Sequence, residues 1–442
     1  MVNFKLPDEV QNILTKFQKA GFEIYIVGGA VRDLIIGCEI CDFDIVTNAE
    51  YYDLTKLFDK VIPYAVEFGV SLIIENGKSY EVTLLRKDIN YRDGRRPTSI
   101  EKSTLKEDAY RRDFTINALF YDPIANKLID YVGGKNNIEN KIIQFVGDAS
   151  ERIKEDNLRI LRAVRIKNQL NFNYSNSTRR AIIDNSSLIN NVSNARVGQE
   201  LIKILMSKNR SQSLKELYSF GILKYIIPEI THLRGVKQPD MFHQEGDALT
   251  HTFLSVSSID NIESLHVILA TLFHDTGKLE AITYPLTPDD RIRFNSHAYY
   301  SAYIANKAML RFNYSKVIRQ SVVWLIKNHM SWFQIFEMSM IKKQKMFNHP
   351  LFADLVKLAY YDAMGTYPQN IDHVVELQKL YQKEYQPLPK RIINGKELIE
   401  IGIEQKNIGK VLNKIYNLQI NGQVKSKKQA LEIASRLLIK NQ

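Results

Sequence analysis

Residues 23–47 read EIYIVGGAVRDLIIGCEICDFDIVT and hold the pattern that decides the fold of the amino-terminal part. This pattern predicts a strand over Glu23–Val27, a turn at Gly28–Gly29, a short helix over 30–36 and a second strand over Phe43–Thr47. Paired glycines between a strand and a helix let backbone N–H groups approach a phosphate, and the start of a helix favours negative charge. The stretch therefore indicates a phosphate-binding turn, although a glycine pair of this kind is more often only a turn.

Two carboxylates follow this turn closely. Asp42 and Asp44 are two residues apart at the start of the second expected strand, so in extended backbone both side chains should point to the same side. Convergent carboxylates beside a triphosphate are the usual ligands of Mg²⁺, and Arg32 adds a charged hydrogen-bond donor for phosphates. An isolated Asp-x-Asp is usually a solvated turn, but the glycine turn a short helix upstream favours a metal site.

Further strands and helices complete a small α/β unit at the amino-terminal end. Apolar spacing predicts a helix over residues 7–20, and strands are expected over Val70–Ile74 and Tyr80–Leu85, joined by a turn at Asn76–Gly77. From about Glu151 onward, apolar residues recur with helical spacing. We therefore expect an α+β multidomain protein, in which a mixed sheet with helices is followed by all-helical domains.

The composition limits the classes that remain. The chain has 442 residues, enough for several domains, and a net charge of +11, which favours a polyanionic partner. Its two cysteines, Cys38 and Cys41, are too few to stabilise the chain by disulfide bonds, so we expect a reducing compartment. Their C-x-x-C spacing is best explained as two loop cysteines. Since no apolar run of about 18 residues and no signal-peptide pattern occurs, we expect a cytoplasmic protein without membrane contact.

A third cluster supports the first two. Residues 111–119 read RRDFTINAL, with charged residues that run directly into an apolar stretch. Alone, this cluster could be a capped element with a salt bridge. Taken together, Gly28–Asp33, Asp42–Asp44 and Arg112–Ala118 resemble the head domain of class II tRNA nucleotidyltransferases and bacterial poly(A) polymerases.

The resemblance implies a five-stranded catalytic domain of the polymerase β type. It assigns Mg²⁺ binding and catalysis to Asp42 and Asp44, and residues 130–142 resemble the connecting motif of the family. The nucleotide-binding residues that it implies in the head are Gly28, Gly29, Arg32, Asp33, Arg112 and Asp113.

Residues 155–165, EDNLRILRAVR, carry Asp156, Arg159, Arg162 and Arg165 at every third position, so that neighbours in this row adjoin on a helix. The simpler explanation is an amphipathic helix with a basic face. However, cytosine and adenine both present an amine beside a bare ring nitrogen, which a carboxylate and a guanidinium can recognise together. Uracil and guanine present the reverse pattern. By resemblance, Asp156 and Arg159 read the base, while Arg162 and Arg165 make further nucleotide contacts.

Residues 86–101 form a polar, basic stretch for which we expect a mobile loop. This stretch resembles the flexible loop of family members that add the terminal A, whereas members restricted to adding CC lack it. The resemblance therefore argues against an enzyme that adds only CC.

A set of histidines follows in the helical part. His and Asp residues from separate helices can converge on one or two divalent metal ions that activate water against a phosphate ester. A lone helical histidine is more often an ordinary core residue, but the run LFHDTGK at 272–278, with a histidine at 251, resembles an HD phosphohydrolase domain. The metal ligands implied are His251, His274, Asp275, His297, His329 and Asp362, with a transition metal or Mg²⁺ as the ion. The alternative is a scaffold that only binds RNA.

The resemblance thus predicts four domains: a nucleotidyltransferase head (1–150), a helical neck for base recognition and RNA binding (151–235), an HD domain (236–385) and a helical tail (386–442). The leading hypothesis is Mg²⁺-dependent, template-independent addition of C, C and A to the 3′ end of tRNA from CTP and ATP. An A-adding enzyme or a poly(A) polymerase is the alternative within this class. Outside it, the alternatives are a metal-dependent phosphohydrolase with an RNA-binding head and a non-catalytic RNA-binding protein.

Overall fold

The computed structural model describes residues 6–40, 42–91, 97–287 and 290–439. The chain forms two compact units: Met1–Thr231 with Leu310–Tyr314, and His232–Met309 with Ser315–Gln442. The first contains a mixed sheet with helices and the second is almost entirely helical, which confirms the predicted α+β multidomain class. Within the described ranges, every helix is too short or too polar to cross a membrane.

A seven-stranded mixed sheet lies at the centre of the first unit. Its strands are β1 (Ile24–Val27), β2 (Asp44–Thr47), β3 (Val61–Ala65), β4 (Val70–Glu75), β5 (Lys78–Leu84), β8 (Leu119–Asp122) and β9 (Lys127–Asp130). They lie in the order β3-β4-β5-β2-β1-β8-β9, with β2 and β5 parallel and all other pairs antiparallel. The implied five-stranded sheet is therefore too small, because the hairpin partners β3 and β9 extend both edges.

The second strand starts later than its apolar pattern predicts. β2 begins at Asp44, which pairs with Val27, the last residue of β1. The chain leaves β1 at Gly28, so β1 pairs with no residue before Asp44. Asp42 consequently lies in the approach to the strand rather than within it.

The stretch expected to be a mobile loop is largely an antiparallel hairpin. β6 (Arg86–Tyr91) and β7 (Pro97–Lys102) pair from Arg86↔Lys102 to Tyr91↔Pro97. The prediction of an irregular segment is wrong for these residues, because β-branched side chains such as Ile89 and Ile100 fit a strand ladder. Residues 92–96 lie outside the described part of the chain.

The helices of the first unit surround the sheet and then form a separate helical layer. They are α1 (Asp8–Lys19), α2 (Gly29–Ile36), α3 (Tyr51–Leu57), α4 (Leu105–Arg111), α5 (Gly134–Glu139), α6 (Ala149–Glu155), α7 (Arg159–Leu170), α8 (Asn176–Asp184), α9 (Asn194–Leu205), α10 (Arg210–Ser219), α11 (Leu223–Ile226) and α12 (Pro228–Thr231). Two short strands, β10 (Ile142–Ile143) and β11 (Asn173–Tyr174), pair in parallel.

The row of charges at every third residue is not carried by one continuous helix. α6 ends at Glu155 and α7 begins at Arg159, with Asp156 in extended conformation between them. The Asp156 carboxylate accepts the Leu158 N–H at 3.2 Å, a local bond that competes with helix continuation. Asp156 therefore lies in a break before α7, and only the three arginines lie on the helix.

The second unit is a set of packed helices with one small hairpin. Its helices are α13 (Ala248–Ser257), α14 (Leu265–Phe273), α15 (Lys278–Ala281), α16 (His297–Arg311), α17 (Lys316–Asn328), α18 (Ser331–Gln334), α19 (Met340–Phe347), α20 (Phe352–Gly365), α21 (Asp372–Glu384), α22 (Gly395–Glu400), α23 (Ile408–Ile420) and α24 (Lys427–Ile439), and its strands are β12 (Ile282–Thr283) and β13 (Arg293–Phe294). The last three helices pack around a core of their own that includes Leu398, Ile415, Ala430 and Ala434.

Two candidate catalytic sites

The glycine turn, one carboxylate and one arginine meet in the head. Gly28 has φ +76°, a conformation that side chains rarely adopt, and a Cβ there would lie 3.2 Å from Asp44 Oδ2 and 3.8 Å from Arg112 Nη1. The sequence positions predicted for phosphate, metal and nucleotide thus adjoin at one point. A side chain at Gly28 would crowd both charged groups.

The Arg32 guanidinium is fixed by two neighbours. It donates to both oxygens of Asp33 at 2.9 and 3.0 Å and to Asn117 Oδ1 at 2.7 Å. Asp33 therefore orients Arg32, and its own oxygens are engaged. Gly29 begins α2 directly beside this group.

A buried aspartate holds the next two arginines. Asp108 accepts from Arg111 Nε at 2.8 Å and from Arg112 Nε at 2.9 Å. Burial alone would raise the pKa of Asp108, but the guanidinium groups of Arg112 and Arg111 outweigh it and lower that pKa. Asp108 was not predicted from the sequence, although it lies three and four residues before the two arginines, a spacing that brings side chains together on a helix.

Carboxylates accumulate beside Asp44. Desolvation raises its pKa, Arg112 opposes the shift and Asp42 adds to it. Glu81 on β5 is the register partner of Asp44, and desolvation and the Asp44 charge raise the pKa of Glu81 as well. Repulsion among three carboxylates is relieved by a bound cation, so these residues fit a divalent metal site. Glu81 escaped the sequence analysis because only strand pairing brings it to Asp44.

The two residues expected to read the base are each held by other partners. Asp156 accepts from Arg196 Nη2 at 2.9 and 3.0 Å. Arg159 is buried and donates to Glu155 Oε2 and to the Arg152 carbonyl, both at 2.7 Å. Asp156 and Arg159 therefore do not pair with each other here.

The next two arginines of the row form ion pairs inside the first unit. Arg162 donates to Asp113 Oδ2 at 2.9 and 2.6 Å, and Arg165 donates to Glu200 on α9. Burial would raise the pKa of Asp113, but Arg162 and Arg159 lower it to about 2. The Asp113–Arg162 pair joins the segment after Arg112 to α7, so the expected base-reading region lies next to the head site.

The six side chains predicted as metal ligands in the second unit form two adjoining groups. In the first group, His251 Nε2 and His274 Nε2 lie 2.9 and 3.3 Å from Asp362 Oδ1 and 3.4 Å from each other. Ligand atoms about 2.1 Å from one ion are roughly 3.0 Å apart in an octahedral set and roughly 3.4 Å apart in a tetrahedral one. The spacing therefore fits one divalent cation.

The second group shares a carboxylate with the first. His297 Nε2 lies 3.0 Å from His329 Nε2 and 3.5 Å from Asp275 Oδ1. The other Asp275 oxygen is 3.4 Å from His274 Nε2. Asp275 is thus placed to bridge two metal ions.

Backbone contacts fix the tautomers of three of these histidines. The Nδ1 atoms of His274, His297 and His329 contact the carbonyl three residues earlier at 2.8, 2.8 and 2.6 Å. Nδ1–H is then the donor, and each Nε2 presents a lone pair. Two lone pairs facing at 3.0 Å repel unless a cation lies between them, which again fits a metal centre.

Lys278 was not assigned a role from the sequence. It is buried, and its Nζ lies 2.6 Å from Asp275 Oδ2 and contacts Gln238 Oε1 at 2.5 Å. The sequence feature that could have identified Lys278 is its position three residues after Asp275, about one helical turn away.

Comparison with known families agrees with this geometry. Residues 24–144 match the poly A polymerase head domain, residues 171–233 match the probable RNA and SrmB- binding site of polymerase A, and residues 248–384 match the HD domain. Three separate parts of the chain are therefore similar to a polymerase-type head, to the segment described as its RNA-binding site and to an HD domain. These matches confirm the resemblance predicted from the sequence.

Curated relatives narrow the comparison. The chain is 40% identical over 229 residues to the CCA-adding enzyme of Ligilactobacillus salivarius, a match that covers 51% of this chain and 56% of the relative. It is 41% identical over 215 residues to the CCA-adding enzyme of a Geobacillus species, covering 48% and 53%. The chain thus spans about half the length of the curated relatives it matches.

A solved structure extends the likeness in fold to the whole chain. The Bacillus stearothermophilus CCA-adding enzyme in complex with CTP superposes with a TM-score of 0.68 and 24% identity, covering 99% of this chain and 100% of that chain. At this identity, the likeness establishes a shared fold.

Proposed function

We propose that this chain is a template-independent nucleotidyltransferase that adds C, C and A to the 3′ end of tRNA, with CTP and ATP as substrates. The observation that carries the proposal is the meeting of Gly28, Asp44 and Arg112 in the head. The Asp113–Arg162 pair places the arginine row of α7 directly beside it. Relatives named CCA-adding enzymes support the choice of tRNA as acceptor.

In the proposed reaction the 3′-hydroxyl oxygen of the RNA bonds to the α-phosphorus of the nucleotide, and the bond to the β-phosphate oxygen breaks to release pyrophosphate. Asp42 and Asp44 would hold Mg²⁺, with Glu81 as a third carboxylate. The ions would lower the pKa of the hydroxyl and neutralise charge on the leaving pyrophosphate.

The remaining head residues would bind and orient the triphosphate. Backbone N–H groups at Gly28 and Gly29 would face phosphate oxygens at the start of α2. Arg32, preset by Asp33, and Arg112, preset by Asp108, would donate charged hydrogen bonds. Preset arginines lose little freedom on binding, which favours tight positioning.

The neck would select the base. Asp156 would accept from the exocyclic amine of C or A, and Arg159 would donate to the ring nitrogen. Asp156 can accept a base amine while Arg196 is bound, since a carboxylate has about four acceptor positions. Arg159 also donates to the Arg111 carbonyl at 3.2 Å, and one of the remaining N–H groups of its five would donate to the ring nitrogen.

A second activity is favoured by the His–Asp groups of the HD domain. We infer that they bind two divalent ions, a transition metal or Mg²⁺, and act on phosphate esters at nucleotide or RNA ends. When bound, the ions would supply an activated water. We further propose the division into head, neck, HD domain and tail at residues 150, 235 and 385, and a cytoplasmic location.

The test supplies purified protein and Mg²⁺ with tRNA lacking CCA, or with tRNA ending in CC, and CTP and ATP alone or together. Sequencing of the product ends should show CCA on the shortened tRNA. Extension only of the CC-ended tRNA by one A would identify an A-adding enzyme instead, and long A tails would identify a poly(A) polymerase. Absence of extension with hydrolysis of a phosphodiester would favour a phosphohydrolase.

A further inference from the structure

A carboxylate outside the predicted ligand set contacts the HD groups from behind. Glu245 precedes α13, and its Oε1 lies 3.1 Å from the Nδ1 of His251. The same oxygen lies 2.7 Å from the Nδ1 of His243. The opposite ring nitrogen of His251 is the one that faces Asp362 and His274.

Glu245 is itself held in place. Its second oxygen, Oε2, accepts the backbone N–H of Tyr367 at 2.9 Å, and the neighbouring Gln244 N–H donates to the Tyr367 carbonyl at 2.9 Å. Tyr367 follows the end of α20, the helix that carries Asp362. These bonds tie the segment before His251 to the end of the helix that presents Asp362.

We propose that Glu245 is a positioning residue for the first metal ion of the HD domain, an inference that rests on the metal site proposed above. By accepting the Nδ1–H of His251, it fixes the tautomer in which Nε2 offers its lone pair to the ion. A carboxylate that accepts from Nδ1 also makes Nε2 a stronger metal ligand than a backbone carbonyl in the same position would.

His251 differs in this respect from the other three histidines. His274, His297 and His329 rely on backbone carbonyls, which no substitution removes. Among the described residues, Glu245 is therefore the one side chain that accepts from the Nδ1 of a proposed ligand histidine, and a substitution can remove it. The first ion should depend on one replaceable side chain, whereas the histidines of the second group keep their orientation.

His243 completes the arrangement from the outer side. Its side chain is 17% exposed, and it donates to the oxygen that also accepts from His251. Glu245 thus carries two imidazole donors and one backbone donor. These contacts lower the pKa of Glu245 well below its usual range, against the opposing effect of burial.

The test measures binding of Mn²⁺ and Co²⁺ to the full chain by calorimetric titration and by Co²⁺ absorption. All proteins carry Asp44→Ala, so that the head does not contribute. Glu245→Ala should weaken the binding of one of the two ions by about 10- to 100-fold. The affinity for the other ion should stay close to the parent value. Glu245→Gln, which keeps an acceptor oxygen, should lose less.

Asp354→Asn is the matched control, because Asp354 accepts from His266 Nε2 at 2.8 Å in the same domain but away from the ligand groups. Parent-like binding in Glu245→Ala, or an equal loss in Asp354→Asn, would overturn the positioning role. Binding that is absent from the parent, or unchanged by His274→Ala, would overturn the metal site itself. Neither result bears on nucleotide addition, which is measured separately with Asp44 intact.

Discussion

At the scale of single residues, Asp44 lies beside residues from three separate segments of the head. Gly28, Arg112 and Glu81 all adjoin it, and two of these carry charge. We expect Asp44→Asn to reduce nucleotide addition by more than about 100-fold, since a metal ligand contributes more than the outer partners whose loss costs 10- to 100-fold. Single-turnover extension of tRNA by CTP measures this. Asp59→Asn, an exposed change in the same domain, should leave the rate unaltered.

Arg196 should set the accuracy of base selection. Without its two contacts, Asp156 loses the partner that orients it. We expect Arg196→Ala to reduce the preference for CTP and ATP over UTP and GTP by roughly 10-fold, within the range that one good base contact provides. Ratios of kcat/KM for the four nucleotides test this expectation. Arg180→Ala, at an exposed position on α8, is the control. If Arg196→Ala keeps the selectivity of the parent protein, Arg196 has no role in base selection.

Local sequence spacing singled out candidate site residues only where these residues lie close together in the chain. Gly28–Gly29, Asp42–Asp44 and the His274–Asp275 pair needed only local spacing. The partners of such residues could not be predicted from the sequence. Glu81 lies 37 residues from Asp44, which it meets through strand pairing, and Arg196 lies 40 residues from Asp156. Sequence spacing also gave no sign that Arg159 would bind Glu155 rather than Asp156, since both lie within one helical turn of it.

At the scale of elements, the Asp113–Arg162 pair joins the segment before β8 to α7. The pKa of Asp113 is lowered to about 2, so the stabilisation is complete above its ordinary value of 3.8 and is lost as the pH falls towards 2. A shift of this size corresponds to on the order of 2 kcal/mol. Urea unfolding of Asp113→Asn should therefore show a larger deficit against the parent at pH 7 than at pH 3. An equal deficit at both pH values would contradict this linkage.

The packing of α13 on α20 depends on a glycine. A Cβ at Gly365 would meet the Ser255 side chain, the Ser255 backbone nitrogen at 2.9 Å and the His251 carbonyl at 3.0 Å. Gly365→Ala should push apart the helices that carry His251 and Asp362, lower stability by about 1–3 kcal/mol and weaken metal binding. Thermal unfolding and metal titration measure both effects. Gly409→Ala on α23 has open space and should be neutral or slightly stabilising.

Element boundaries were predictable only where backbone pairing did not intervene. The apolar pattern located the ends of β1, β4 and β5 to within two residues. It missed the β6–β7 hairpin, because the length of a ladder depends on a partner strand elsewhere. The break before α7 was likewise hidden, since the Asp156 side chain, not a glycine or proline, interrupts the helix.

At the scale of the whole molecule, the division into two compact units leads us to expect two unfolding transitions. The proposed metal ligands of the HD domain all lie in the second unit, so a divalent ion that binds there should stabilise that unit selectively. At an ion concentration about 100 times the Kd, the gain is roughly 2.7 kcal/mol. Scanning calorimetry of Asp44→Ala with and without Mn²⁺ should show one transition moving and the other fixed. In His274→Ala neither should move.

The two units are not two consecutive stretches of chain. Leu310–Tyr314 belongs to the first unit although the residues on both sides belong to the second. Within the first unit, Tyr314 donates to the Gly198 carbonyl at 3.0 Å, and Phe312 packs against the same glycine. A gene fragment that ends near residue 231 would therefore encode α9 without Phe312 and Tyr314, the residues that contact Gly198 of that helix. In terms of inheritance, the first unit cannot pass between genes as one continuous segment, because a recombination joint placed before residue 310 leaves out Leu310–Tyr314.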